Sequence, residues 1–223
     1  MKTSDEIKEL LKTKKQIKPV KKILEWVLGE EECQDLEFKK AVRDKQTTKG
    51  RNKGSRFERE TAERLSLWWT DGVDPKALRR VPLSGGYDKT AVSGDIACLV
   101  NPLEFPLSIE CKNCEGWDLL QIFEGTGPVF KWWKQCIDDE AEGHYQRSPL
   151  LIMTRNHYPV LCMVHLDFWK LFDVQRDIFS AARINNEKFN DLSGTVVLVS
   201  LDDFLKVVTP IWLKEKVKVV KRA

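Results

Sequence analysis

Histidine is scarce in this chain: 223 residues hold only three, His144, His157 and His165. None stands at zinc-ligand spacing from a cysteine. Cys111 and Cys114 form a Cys-x-x-Cys pair, but no second such pair follows, so a tetrahedral zinc or redox centre is the weakest reading. Of the six cysteines (Cys33, Cys98, Cys111, Cys114, Cys136 and Cys162), most sit in apolar segments, as reduced thiols packed in a core do. The opening MKTSDEIKEL lacks the apolar stretch of a secretory signal, and no apolar run reaches the length of a membrane span. The expectation is a soluble, cytoplasmic protein with no membrane partner. Gly85-Gly86-x-x-Lys89-Thr90 lacks the glycine spacing of a phosphate loop, so no nucleotide cofactor is expected.

Charge of one sign is also missing: the net is only +3. Its distribution is uneven. Residues 1–56 carry 16 Lys/Arg against 10 Asp/Glu, and residues 57–223 carry 21 against 24. The tail is basic again, with Lys214, Lys216, Lys218, Lys221 and Arg222. Solvated helix faces explain such charge as readily as phosphate-binding arms do.

What is present is one core's worth of apolar sequence, 42% hydrophobic. Residues 4–17, 20–28 and 34–44 read as short helices of a basic N-terminal extension. Residues 46–54, polar and rich in Lys, Arg and Gly, end it. A helix over about 56–70 follows, capped by Ser55, with Phe57, Ala62, Leu65, Trp68 and Trp69 on one face. Arg79-Arg80 begins a short strand that passes into a loop to about Ser93. Strands are expected at 95–100 and 106–112, a short helix near 116–123, and a helix over 129–142. Strands at 149–154 and 159–165 form a hairpin, and a short helix covers 167–172. Residues 173–194 carry no clear pattern. A strand at 196–200 and a helix at 201–208 close the series. The expected division is 1–52 (basic helical extension), 53–165 (α/β core) and 166–223 (C-terminal α/β extension).

The chemistry concentrates in Glu110-Cys111-Lys112. On a strand, period two puts Glu110 and Lys112 on one face and turns Cys111 into packing. An acid and an ammonium at the end of an apolar strand are not ordinary core residues. Asp95 opens the preceding strand. Together Asp95 and Glu110 offer the oxygen ligands a hard cation such as Mg²⁺ takes, with the Cys111 backbone carbonyl between as a further ligand. Glu58 would complete the outer shell, through water. Such a cation polarises a phosphate and acidifies a water, while Lys112 orients that water or neutralises developing charge.

Asp95…Glu110-x-Lys112 resembles the D…ExK signature of the PD-(D/E)XK nuclease superfamily, with Gly94 where that name has proline. Lys53-Gly54-Ser55-Arg56-Phe57-Glu58-Arg59 resembles the KGSxxER opening of archaeal-type Holliday-junction resolvases, and Arg80-Val81-Pro82-Leu83-Ser84-Gly85 their R-x-P-x-SG loop. Trp132-Trp133-x-Gln135 with Pro149-Leu150-Leu151 is similar to phage-type members of the superfamily. The resemblance implies a restriction-endonuclease-like α/β core, a central mixed sheet flanked by helices. It implies a Mg²⁺-dependent endonuclease, with Mn²⁺ able to substitute, acting as a homodimer on branched DNA. Glu58, Asp95, Glu110 and Lys112 match the active-site positions. Arg59, Arg80 and Ser84 match positions tied to phosphate contact or catalysis. Lys53, Arg56 and Arg79 are the neighbouring expected DNA contacts. Gln135 is either a polar accessory facing the site or a solvent-facing residue. Trp132 and Trp133 are candidates for core packing, base stacking or a dimer interface. Two other readings remain: a recombination or replication nuclease for linear, flap or single-stranded DNA, and an inactive DNA-binding module on the same fold. A phage-encoded protein within a bacterial host is the expected setting.

Overall fold

The computed structural model describes residues 53–81, 94–99, 103–143, 145–172 and 181–221. All belong to one compact unit that begins at Lys53. The expected N-terminal helices and the loop holding Ser84 lie outside the described residues.

Helix α1 runs through 53–69. It buries Phe57, Ala62, Leu65 and Trp69, a stripe at helical spacing. Ser55 lies within this helix rather than capping it. Two short strands, β1 (Leu78–Arg80) and β2 (Ile96–Cys98), pair antiparallel. Then come β3 (Leu107–Asn113), α2 (Leu119–Phe123), α3 (Gly127–Glu142), β4 (Tyr145–Gln146), β5 (Ser148–Thr154) and β6 (Leu161–His165). The chain continues through α4 (Leu166–Lys170), β7 (Ala181–Ile184), α5 (Glu187–Ser193), β8 (Val196–Ser200), α6 (Leu201–Val207), α7 (Pro210–Lys216) and β9 (Val220–Lys221).

Five strands form a central mixed sheet in the order β3-β5-β6-β8-β7. Strands β3 and β5 are parallel, and the other pairs are antiparallel. The β3–β5 crossover carries α2 and α3, as a parallel pair requires. Period-two alternation divides the strand side chains between two apolar layers. Leu107, Ile109, Cys111, Leu150, Ile152, Cys162 and Val164 join α1, α4 and α6 on one face. Leu151, Met153, Met163 and Leu198 join Trp117, Ile122, Val129, Trp133 and Phe189 on the other. Because both faces are covered, β5 reads as an unbroken apolar run, Pro149 to Met153.

The C-terminal boundary expected at 165 falls inside this sheet. Strand β6 pairs with β8 along its whole length, and β8 lies between β6 and β7. Residues 173–194, unassigned from sequence, include β7 and α5. Strand β7 is short and half exposed, and its pairing with β8 rather than its own pattern makes it a strand. Helix α7 also went unforeseen, although Thr209 caps it, accepting from Trp212 N at 3.5 Å, and Pro210 opens it. Trp133 is fully buried in the second layer, and its indole donates to Ser193 Oγ at 2.9 Å. Trp132 packs against the same layer. Trp133 is therefore a core residue, neither base-stacking nor interfacial.

Candidate active site

Strand β3 lies at one edge of the five-stranded sheet, and the chain around Asp95 runs along that edge. Gly94 forms a parallel bridge to Ile109. Asp95 N donates to Ile109 O at 2.7 Å, and Val81 N donates to Asp95 O at 2.8 Å. The Asp95 carboxylate (Oδ2) accepts from Cys111 N at 2.9 Å. Backbone bonds on both sides thus hold Asp95 between β1 and β3. The expected strand at 95–100 shortens to β2, which belongs to the β1 pair rather than to the main sheet.

The glycine before Asp95 is required by this arrangement. Gly94 has φ +87°, and a Cβ there would lie 2.3 Å from the Ile109 carbonyl oxygen. Proline, with φ fixed near −65°, cannot adopt that conformation. The missing proline of the signature therefore follows from how closely this edge is bridged.

Glu110 and Lys112 share a face of β3, as period two predicts, and Lys112 Nζ donates to Glu110 Oε1. Glu110 is 2% exposed. Cys111 points to the opposite face, into the first apolar layer. A strand residue's N–H and C=O leave on the same side. The Cys111 N–H meets Asp95, so the Cys111 carbonyl points to that same edge.

Electrostatics mark this group. Burial and then the Asp95 charge push Glu110 up to about 7, against the pull of Lys112. Burial also raises Asp95; the Cys111 N–H opposes it, and Glu58 and Asp139 add to it. Burial opposes the Lys112 charge, but Glu110, with Asp95 and Cys114, more than offsets it, so the ammonium is held above its ordinary range. Two buried carboxylates, both with raised proton affinity and Glu110 raised in part by the Asp95 charge, form an environment that a divalent cation relieves. Carboxylate oxygens beside a carbonyl suit a hard divalent ion. Among the described residues, no group of three or more His, Cys, Asp or Glu is gathered closely enough to hold a metal alone. The donor set fits an ion that keeps several waters.

Glu58, on α1, is half-buried and pairs with Arg80 of β1 (Arg80 Nε to Glu58 Oε2). Its charge reaches Asp95. Of the other expected DNA contacts, Lys53 pairs with Glu115 at 2.6 Å and Arg56 with Glu60 at 2.7 Å. Arg59 and Arg79 are exposed. Gln135 is exposed on α3 and donates to Asp139 Oδ2 at 3.4 Å. Cys136 of the same helix packs against β3, its Sγ 3.9 Å from Ser108 O. Asp139 escaped the sequence reading, yet its charge is felt by both Asp95 and Glu110. Its one sequence signal is its place four residues after Gln135 on one helix face.

A family described as "Phage putative PDDEXK endonuclease" matches residues 49–215. The chain belongs to this phage PD-(D/E)XK endonuclease family. No curated protein and no solved structure gives a significant match. The matched span covers the whole five-stranded sheet and all the carboxylates described above. Membership makes the protein an endonuclease on a restriction-endonuclease-like core, of a family whose members use divalent metal ions. Among the described residues, no helix is long and apolar enough to cross a membrane.

Proposed function

We propose that this phage-family PD-(D/E)XK endonuclease is Mg²⁺-dependent and cuts branched DNA, with Asp95, Glu110, Lys112 and Glu58 as its working residues. One observation carries the reading: the Asp95 carboxylate and the Glu110–Lys112 pair come together at the β3 edge bordered by the Gly94–Asp95 segment. Asp95, Glu110 and the Cys111 carbonyl would hold the ion, with Glu58 bearing on it through water. A divalent cation there supplies electrophilic assistance to the phosphate and a more acidic water. The rest is done by the chain. Lys112, fully charged at neutral pH, presents an ammonium beside the acids, where it orients a water or offsets charge on the phosphorane. Its position is fixed by Glu110, two residues earlier on the same strand face. Glu110, titrating near 7 without the ion, gives up its proton when a cation binds. Hydrogen bonds to its main chain and to one carboxylate oxygen position Asp95.

Branch preference and a homodimer rest on the resemblance of the Lys53–Arg59 and Arg80–Gly85 segments to junction resolvases. The test is a panel of four-way junction, flap and linear duplex, with and without Mg²⁺, on wild type and Asp95→Asn. Preferred, Mg²⁺-dependent nicking of the junction, lost in Asp95→Asn, is the expected outcome. Equal cutting of linear duplex would replace the branched-DNA reading with that of a recombination or replication nuclease. Undiminished cleavage by Asp95→Asn would sink the site. Sedimentation of the free protein at its working concentration tests for the dimer.

A further inference from the structure

Beside the carboxylates, α1 and β1 enclose an open groove of about 470 Å³, lined by Arg59, Ala62, Glu63, Pro75, Lys76, Leu78, Arg79 and Arg80. Four of these eight are cationic and one is acidic. Arg59, Lys76 and Arg79 are exposed, and among the described residues none of the three takes part in an ion pair. This sets them apart from Lys53, Arg56, Arg64, Lys134 and Lys170, each committed to a carboxylate. Arg80 lines the groove and is also the partner of Glu58, whose charge reaches Asp95, so this ion pair links the groove to the acidic site. Its remaining lining is aliphatic, with no aromatic ring to stack on a base.

We infer that this groove seats the sugar-phosphate backbone of the DNA strand beside the cleaved bond, through Arg59, Lys76 and Arg79. The inference rests on the endonuclease reading and adds Lys76, which no motif singles out. Three cations that line it, in no ion pair among the described residues, supply the counter-charge, and Ala62, Pro75 and Leu78 supply an apolar lining between them. Contacts of this kind fix register and carry no sequence information. Arg80 is withheld from the backbone by Glu58, so the groove's cations and the site's acids meet at a single ion pair. A strand bound here is therefore delivered to Asp95 and Glu110 irrespective of its bases.

The experiment measures binding of the full-length protein to three duplexes of unrelated sequence, in EDTA, across a salt series. Wild type is compared with Lys76→Ala, with Lys76→Ala/Arg79→Ala, and with Lys170→Ala as a basic residue away from the groove. The altered side chains are exposed, and melting curves verify that the fold is kept. The expected result is affinity lowered several-fold in the single variant and roughly tenfold in the double variant, equally for all three sequences. The slope of log affinity against log salt should flatten by about one and about two respectively, while Lys170→Ala matches wild type. Wild-type affinity and slope in the double variant would overturn the groove while leaving the endonuclease reading intact. A loss confined to one sequence would overturn backbone readout. A wild type that neither binds nor, with Mg²⁺, cuts any DNA overturns both readings.

Discussion

Strands β3 and β5 are neighbours, parallel, seven residues each and in full register, yet opposite in character. Glu110 stands opposite Leu151 and Lys112 opposite Met153, on the same face of the sheet. In β5 those positions feed the second apolar layer. In β3 they carry an acid and its ammonium, equally shut from water at Glu110. Position in the sheet makes the difference. Strand β5 has a strand on both sides, whereas the outer side of β3 is open to the turn at Gly94–Asp95. A charged pair is tolerable where a sheet face reaches an edge, because backbone donors and a cation can approach there. In the sheet interior nothing can.

The largest way to break that comparison is to give β5 the chemistry of β3. Leu151→Glu places a carboxylate in the second apolar layer without an ammonium or an open edge. We expect it to destabilise the protein by about 4 kcal/mol or more, or to prevent folding, read by denaturant unfolding. A stable Leu151→Glu protein would mean that the edge is not what makes Glu110 tolerable.

The converse exchange sharpens the point, because Glu110 costs stability when no cation is bound. Its folded-state pKa, about 7, lies above the ordinary 4.5. Between those values the native state binds more protons than the unfolded state. Stability is therefore greatest below pH 4.5 with respect to this group and falls as pH rises through 7. Metal-free Glu110→Gln should accordingly be more stable than wild type at pH 8, by up to roughly 3 kcal/mol. That gain should vanish near pH 4.5, while cleavage is lost at every pH. A gain independent of pH would show that the Glu110 charge is not its source.

The edge itself can be broken through Gly94. Gly94→Ala meets the Ile109 carbonyl and a left-handed backbone, with an expected cost of at least about 1–2 kcal/mol. Gly94→Pro, which restores the proline of the superfamily signature, should be the worse of the two. Cleavage should fall with stability, since the same bridge places Asp95. An active Gly94→Pro enzyme would show that the close bridge is dispensable.

The smallest expected effect concerns α3. The Asp95 charge raises Glu110 more than that of Asp139 does. Removing either should move the Glu110 titration down, Asp95→Asn by more and Asp139→Asn by less, measured from the pH dependence of metal-free stability. The opposite order would mean that Asp139, and not Asp95, is the closer electrostatic partner.

How much of this was legible in the sequence depends on where each element draws its stability. Strand β8 reads correctly as residues 196–200, and the β5–β6 hairpin with its Arg155–Tyr158 turn is also clear, because runs buried on both faces must be apolar. Strand β7, four residues reading Ala-Ala-Arg-Ile, has no such signature, since it gains its order from β8. The tryptophans on α3 are ambiguous as sequence: aromatic rings at helical spacing suit a core, an interface or a stacking surface equally. Only the sheet behind them makes Trp133 a core residue.

The sequence by itself determined the chemistry on β3. A strand's period of two is a local property, so Glu110 and Lys112 had to share a face and Cys111 had to oppose them. Tertiary structure alone decided the rest. It set Asp95 against the edge through Gly94, paired Arg80 with Glu58, brought the charge of Asp139 to bear, and left Arg59, Lys76 and Arg79 lining one groove. Each of these depends on elements that meet across the fold, and no local periodicity encodes where separate elements will touch.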